Sequence, residues 1–201
     1  MIPPEEALER LQKGNERFVS GNAQDGGRTY PGAPMGDQAP FAIILGCSDS
    51  RVPAEIIFDQ GVGDLFVIRV AGNVVAPSQI GSIEFAAAKF GTRLVVVLGH
   101  TRCGAILTAL EELEQREENR SPNLRAIVDR VRPSVQSLLE TELRNDPHRL
   151  VREAVRSNVR ASVDHLKHGS QILETLVEES GLQIVGAEYV LETGKVEFLQ
   201  G

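Results

Sequence analysis

Apolar residues along this chain follow two rhythms. From Pro4 to about Val19 they recur at helical spacing: Ala7, Leu8 and Leu11 share a face that Phe18 continues, and Glu5, Glu6, Glu9 and Lys13 cover the other. Further on they gather in short unbroken runs, Phe41–Gly46, Asp64–Val70 and Arg93–Gly99, which suit strands buried on both faces. Between the runs helical patterning returns. Pro53 suits the first turn of a short helix to about Phe58. Ser78 is placed to cap a helix from about Gln79 to Lys89 that Gly91 closes, and another helix runs from Gly104 to about Glu118. Strands alternating with helices at this spacing predict an α/β fold, with a mostly parallel central sheet flanked by helices and right-handed crossovers.

Leu124 to about Leu143 reads as a helix bent or broken near Pro133. Pro147 opens another, ended by Gly169, and Ser170 caps one that Gly181 closes. Leu182–Leu191 and Lys195–Leu199 read as C-terminal strands at the sheet edge, joined like a hairpin at Glu192–Gly194. Gly21 to Pro40 is rich in Gly, Pro, Asp and Asn and reads as an irregular connector. The expected organisation is a single domain over 1–201: an N-terminal helical arm and connector (1–40), then an α/β core (41–201). The arm's amphipathic helix fits either the surface of its own domain or a neighbouring subunit.

Charge narrows the function classes. With 28 acidic and 21 basic residues the net charge is -7, which argues against nucleic acid as the main partner. No apolar segment approaches the roughly 20 residues needed to span a bilayer, so no membrane partner is expected. The N-terminus is acidic and lacks an apolar signal core, which makes the cytoplasm the expected compartment. The charged run Glu111–Arg120 reads as a solvated helix end.

Chemistry-bearing residues concentrate where two of the apolar runs stop. Phe41–Gly46 ends in Cys47-Ser-Asp49-Ser-Arg51, and Arg93–Gly99 ends in His100-Thr-Arg-Cys103. In open α/β sheets, sites form beyond the carboxyl ends of strands. Cys47 and Cys103 are the chain's two cysteines. A disulfide is one reading, which a reducing cytosol disfavours. Metal ligation is the stronger one, because two thiolates and an imidazole suit Zn²⁺ and leave a fourth position open for water, as catalysis requires. Arg51 can clamp Asp49 through a bidentate pair, keeping it an ionised acceptor beside that position. His165 and His168 mimic a metal pair at a helix end, but they and His148 suit surface or capping roles; Asp59 and Asp64 suit turns, and Arg102 suits solvent.

CSDSR at 47–51 followed by HTRC at 100–103 resembles the β-class carbonic anhydrases, and the similarity extends through residues 70–86 and 95–105 and the GNERF helix at 14–18. The resemblance implies one Zn²⁺ per chain on Cys47, His100 and Cys103, with Asp49 and Arg51 as catalytic dyad and reversible hydration of carbon dioxide to bicarbonate. It also implies a homodimer or higher multiple, a tetramer included, whose N-terminal helix lies across the partner and whose cleft sits at the dimer interface. Gln38, Phe66 and Gly104 match substrate-binding positions, and Phe85 stands where the plant-like branch often has tyrosine. The other branch, closed by its own aspartate, uses a tryptophan where this chain has Ile44, with Arg69 and Tyr189 matching further members of that site. The expectation is therefore a plant-like, open site. Two other functions share these residues: hydrolysis of a carbon dioxide analogue such as carbon disulfide, and a non-catalytic oligomer that binds zinc or bicarbonate. A zinc dehydrogenase is disfavoured, since Gly61-Val-Gly63 precedes a strand rather than a helix.

Overall fold

The computed structural model describes residues 2–24, 38–114 and 121–200. Its first helix, α1 (Pro4–Val19), begins with proline in its first turn and carries Glu5 and Glu6 there, where the helix dipole favours negative charge. Strand β1 (Ala42–Gly46) is followed by a short helix α2 (Ala54–Ile57), strand β2 (Leu65–Arg69) and a 3₁₀ turn at Ala71–Asn73. Helix α3 (Pro77–Lys89), strand β3 (Leu94–His100) and helix α4 (Gly104–Glu114) come next. Helix α5 (Pro122–Val135), α6 (Pro147–His168), α7 (Gln171–Ser180) and strands β4 (Gln183–Tyr189) and β5 (Val196–Leu199) complete the chain.

The sheet order is β2-β1-β3-β4-β5. The first four strands are parallel, and β5 returns antiparallel to β4 at the edge, as the hairpin-like ending predicts. Every residue of β1 and β3 is buried, because helices cover both faces. Alternation divides their side chains. Ile44, Val96 and Leu98 face the cluster that contains Ala7 and Leu11 of α1, and Ile43, Leu45, Val95 and Val97 face one built with α3, α6 and α7. A third cluster joins α4, α5 and α6, and Cys47 and Cys103 sit within it. Among the described residues no helix is long and apolar enough to cross a membrane.

Two boundaries differ from the sequence reading. Helix α3 starts at Pro77, whose fixed φ suits the first turn; Ala76 is the residue before it, and Ser78 lies inside, bonded to the Gln79 side chain instead of capping. The helix expected to reach Leu143 ends at Val135, with Pro133 in its last turn, and continues as 3₁₀ segments at Gln136–Glu140 and Glu142–Asn145. Residues 25–37 of the connector and 115–120 of the charged run lie outside the described residues, and in the described part of that run Glu112 is buried and pairs with Arg132 at 3.7 Å instead of being solvated. Ser170 and Gly181 behave as read: the Ser170 hydroxyl accepts from Leu173 N at 3.2 Å, and Gly181 takes φ +67°.

Helix α1 packs on its own chain, the first of the two placements its amphipathic pattern allows. Asn15 Nδ2 donates to Ile57 O at 3.1 Å and Gly194 O at 2.8 Å, and its Oδ1 accepts from Val196 N at 2.8 Å. Arg17 pairs with Asp59 at 2.5 Å and Arg10 with Asp64 at 2.9 Å, so these aspartates anchor the helix as well as serving turns. At Gly14 a Cβ would stand 1.8 Å from the Phe58 carbonyl oxygen. Gly14→Ala is therefore expected to lift α1 and destabilise the protein by about 1–3 kcal/mol. Differential scanning calorimetry reads this as a lower Tm, roughly 2–4 °C per kcal/mol. An unchanged Tm would mean that α1 does not rest on that carbonyl.

Candidate metal centre and active site

The parallel pairing of β1 with β3, Gly46 opposite Leu98, carries both strand ends to the same edge of the sheet. Cys47 follows the first strand and His100 closes the second; a turn with Arg102 at φ +58° then brings Cys103 back to them. The Cys47 and Cys103 sulfurs and a ring nitrogen of His100 all lie within 4.8 Å of one another, and all three residues are buried. Both cysteines are free, with their sulfurs 3.9 Å apart.

The protonation pattern of this group suits a cation. His100 Nδ1 is 2.9 Å from the Thr101 carbonyl oxygen, which can only accept, so Nδ1 carries the ring proton. Nε2 then presents a lone pair, fully buried and without a partner among the described residues. A buried acceptor left unpaired is unfavourable unless something fills it. Cys47 is held well below the ordinary thiol range, chiefly by its hydrogen bond with Cys103, with help from the Gly72 amide and against the effect of burial. Cys103 is pushed up by the same partner and by burial. The pair thus retains a proton that a bound cation would displace. An orphaned imidazole nitrogen facing two thiols is a donor set for a borderline-soft metal ion.

Asp49 and Arg51 stand beside this group. Arg51 donates from Nε and from its backbone N–H to Asp49 Oδ1, both at 2.9 Å, and from Nη2 to Oδ2 at 2.7 Å. These bonds, above all the guanidinium's, hold the Asp49 carboxyl well below the usual carboxylate range against partial desolvation. Asp49 Oδ2 is also 3.9 Å from His100 Nε2, so the carboxylate faces the donor cluster.

Two contacts of the site escape a reading of the sequence alone. Arg69, at the carboxyl end of β2, donates from Nε to Cys47 O at 3.0 Å and from Nη2 to Asp49 O at 2.5 Å, bracing the turn between strand and dyad. Its signal is a lone charge closing the apolar run Leu65–Ile68, at the same sheet edge as the site. Gly72 donates its backbone N–H to Cys47 Sγ at 3.4 Å. It does so at φ +70°, where a Cβ would also lie 3.0 Å from Ala105 Cβ, so glycine is required twice over.

The remaining candidates do not all converge. Gly104 is exposed at the start of α4, next to Cys103. Phe66 lies opposite Ile43, four residues before Cys47, hence about 13 Å back along the strands. It packs against Phe85 and Phe90, with ring centroids 6.2 and 6.1 Å away, and Phe85 is 52% exposed. Gln38 is exposed. Within one chain, Phe66 thus stays apart from the metal-binding group, and Phe85 belongs with it in the aromatic cluster. None of the other histidines joins the donor group; His168 pairs with Asp164 at 3.1 Å on the surface.

Residues 42–196 match a protein-family model described as carbonic anhydrase. The chain is 40% identical to carbonic anhydrase 2 of Mycobacterium tuberculosis over 196 residues, covering 96% of this chain and 91% of that one. It is 38% identical to a carbonic anhydrase of Mycolicibacterium smegmatis over 196 residues, covering 96% and 92%. Among solved structures it is similar to a β-carbonic anhydrase of Aspergillus fumigatus, with TM-score 0.72 and 26% identity over 98% of this chain and 86% of that one. A β-carbonic anhydrase from Sordaria macrospora, described as tetrameric, superimposes with TM-score 0.73 at 23% identity, covering 98% and 93%.

Proposed function

The chain belongs to the β-class carbonic anhydrases, and from that premise we propose that it catalyses the reversible hydration of carbon dioxide with zinc held by Cys47, His100 and Cys103. The observation that carries the reading is the buried, partnerless His100 Nε2 facing two thiols, with an ion-paired Asp49 alongside. Zinc, when bound, supplies the Lewis acidity that makes water a nucleophile near neutral pH.

The chain's own groups do the rest. Asp49 stays ionised because Arg51 grips both its oxygens, so it accepts a hydrogen bond from the reacting water and turns the water's lone pair towards carbon dioxide. Arg51 fixes the carboxylate's direction, and Arg69 fixes the backbone beneath it. Commitment of both Asp49 oxygens to Arg51 supports the open, plant-like branch. A low-pH crystal structure with Asp49 on the metal would overturn that assignment. Exposed Phe85 supports a homodimer or tetramer in which Phe66, Phe85 and Gln38 of one copy wall the cleft of the next, with Gly104 contributed beside Cys103. Two thiols that must remain reduced fit a cytoplasmic setting.

Stopped-flow hydration by zinc-quantified protein, from about pH 6.5 to 9, tests the reading. Two thiolates offset the dication's charge, so water is acidified less than in an all-histidine site, where its pKa is about 7. The rate is expected to rise into the mildly alkaline range. Asp49 adds no acidic limb to this profile, since its pKa is depressed and it is fully ionised throughout. Absence of hydration with zinc fully bound would overturn the assignment, and a flat profile would overturn the account of the donor set.

A further inference from the structure

The turn that aims the Gly72 N–H at Cys47 is an uncomfortable one. Two successive residues are left-handed, Gly72 at φ +70° and Asn73 at φ +44°, and only the first is a glycine. The turn's own side chains do not hold it: Asn73 Nδ2 is buried and without a partner among the described residues. Beyond the Asn73 N–H bond to Val70 O at 3.0 Å, the restraint comes from α6, far along the chain. Asn158 Nδ2 donates to the Gly72 carbonyl at 2.8 Å, and Ser162 Oγ donates to the Asn73 carbonyl at 3.3 Å. The two are one helical turn apart and share a face. That face is otherwise apolar, with Val155, Val159 and Leu166, and Asn158 and Ser162 are 3% and 6% exposed. Burying polar side chains in such a face is unfavourable unless their hydrogen bonds are satisfied, and both spend theirs on this one turn.

We propose that Asn158 and Ser162 are positioning residues of the metal centre: from α6 they hold the Ala71–Asn73 turn so that the Gly72 N–H stays on Cys47 Sγ. This rests on the reading that Cys47 is a metal ligand. An N–H donor on a ligand sulfur draws charge from it, so the thiolate donates less to the metal and leaves it a stronger Lewis acid. Releasing the turn lets Gly72 and Asn73 relax from their left-handed conformations and carries the amide away from the sulfur.

The test compares cobalt(II)-substituted wild type with Asn158→Leu, which removes the donor while keeping the branched shape, and with the milder Ser162→Ala, which remains informative if the first fails to fold. In wild type a thiolate-to-cobalt charge-transfer band is expected in the near ultraviolet. In the variants it shifts to lower energy, because a sulfur without its N–H donor is easier to oxidise, and zinc-loaded kcat/KM falls on the order of tenfold. Ser162→Thr, which keeps a hydroxyl, restores the wild-type band. A lowered Tm with an unshifted band in both variants would show a purely structural role and overturn the proposal. A wild-type protein that binds cobalt without any thiolate band would instead overturn the metal reading itself.

Discussion

Cys103→Ser is expected to lose its zinc on dialysis and to lose carbon dioxide hydration by a factor on the order of 10³ or more, the nucleophile having reverted to ordinary water. Cys103 Sγ is buried 3.9 Å from Cys47 Sγ in a three-donor group, and the neighbouring carboxylate oxygen, Asp49 Oδ2, is committed to Arg51. A serine hydroxyl is harder than a thiolate and does not ionise near neutrality, so the cation would keep one thiolate and one imidazole. The fold should survive, because the side chain changes little in volume within a cluster that includes Ile106, Val131 and Val155. Far-ultraviolet circular dichroism should therefore match wild type. Tm should fall, since a metal that binds only the folded state stabilises it. Metal analysis and stopped-flow hydration on the same sample check the prediction. A chelator-stripped wild type should recover its rate on adding zinc, and the variant should not. Retention of full zinc and near-native rate in Cys103→Ser would remove Cys103 from the ligand set.

How much of this was legible in the sequence differs from residue to residue. Ile43–Leu45 and Val95–Leu98 announce their strands because burial on both faces leaves no polar position to interrupt them. Cys47, His100 and Cys103 are legible for a related reason, since reactive residues at the ends of buried runs point to the sheet's carboxyl edge. Asp49 and Arg51 are close enough in sequence that local geometry alone can pair them. Contacts that depend on strand register were hidden. Arg69 reaches Cys47 only because β2 lies beside β1 with Arg69 opposite Gly46, and a single sequence does not state that register. Helix α1 posed a different difficulty: an apolar stripe does not say whose core it covers. Gly14 and Asn15 inside that stripe were the local clue, one admitting a carbonyl and the other bonding to backbone groups of α2 and the β5 hairpin. Phe66 shows the limit of carrying roles across a family, because within one chain it packs against Phe85 and Phe90, away from the donor group.

Asp49→Asn is expected to retain zinc and lower kcat/KM by roughly 10²–10⁴, the usual range for loss of a positioned proton acceptor. Asp49 accepts three hydrogen bonds from Arg51, two on Oδ1 and one on Oδ2, while Oδ2 faces His100 Nε2 from 3.9 Å. Asparagine offers one oxygen for these tasks. If that oxygen stays on Arg51 Nε and the backbone amide, the new NH₂ group meets Arg51 Nη2 as donor against donor and presents no acceptor to the reacting water. If the amide flips, the guanidinium loses its grip, and a side chain already 51% exposed swings into solvent. Either outcome leaves the water unoriented. The effect on stability should be small, because Arg51 is half exposed and solvent screens the pair. Its pH dependence has a definite sign. The folded pKa of Asp49 is depressed, so the pair stabilises wild type above the ordinary carboxylate pKa, and that advantage over Asp49→Asn fades as pH falls towards the folded value. Steady zinc content alongside the lost rate distinguishes the two branches of the family. If zinc drops together with activity, Asp49 is itself a metal ligand and the site belongs to the closed branch; if only the rate drops, the carboxylate acts from beside the metal, under the control of Arg51.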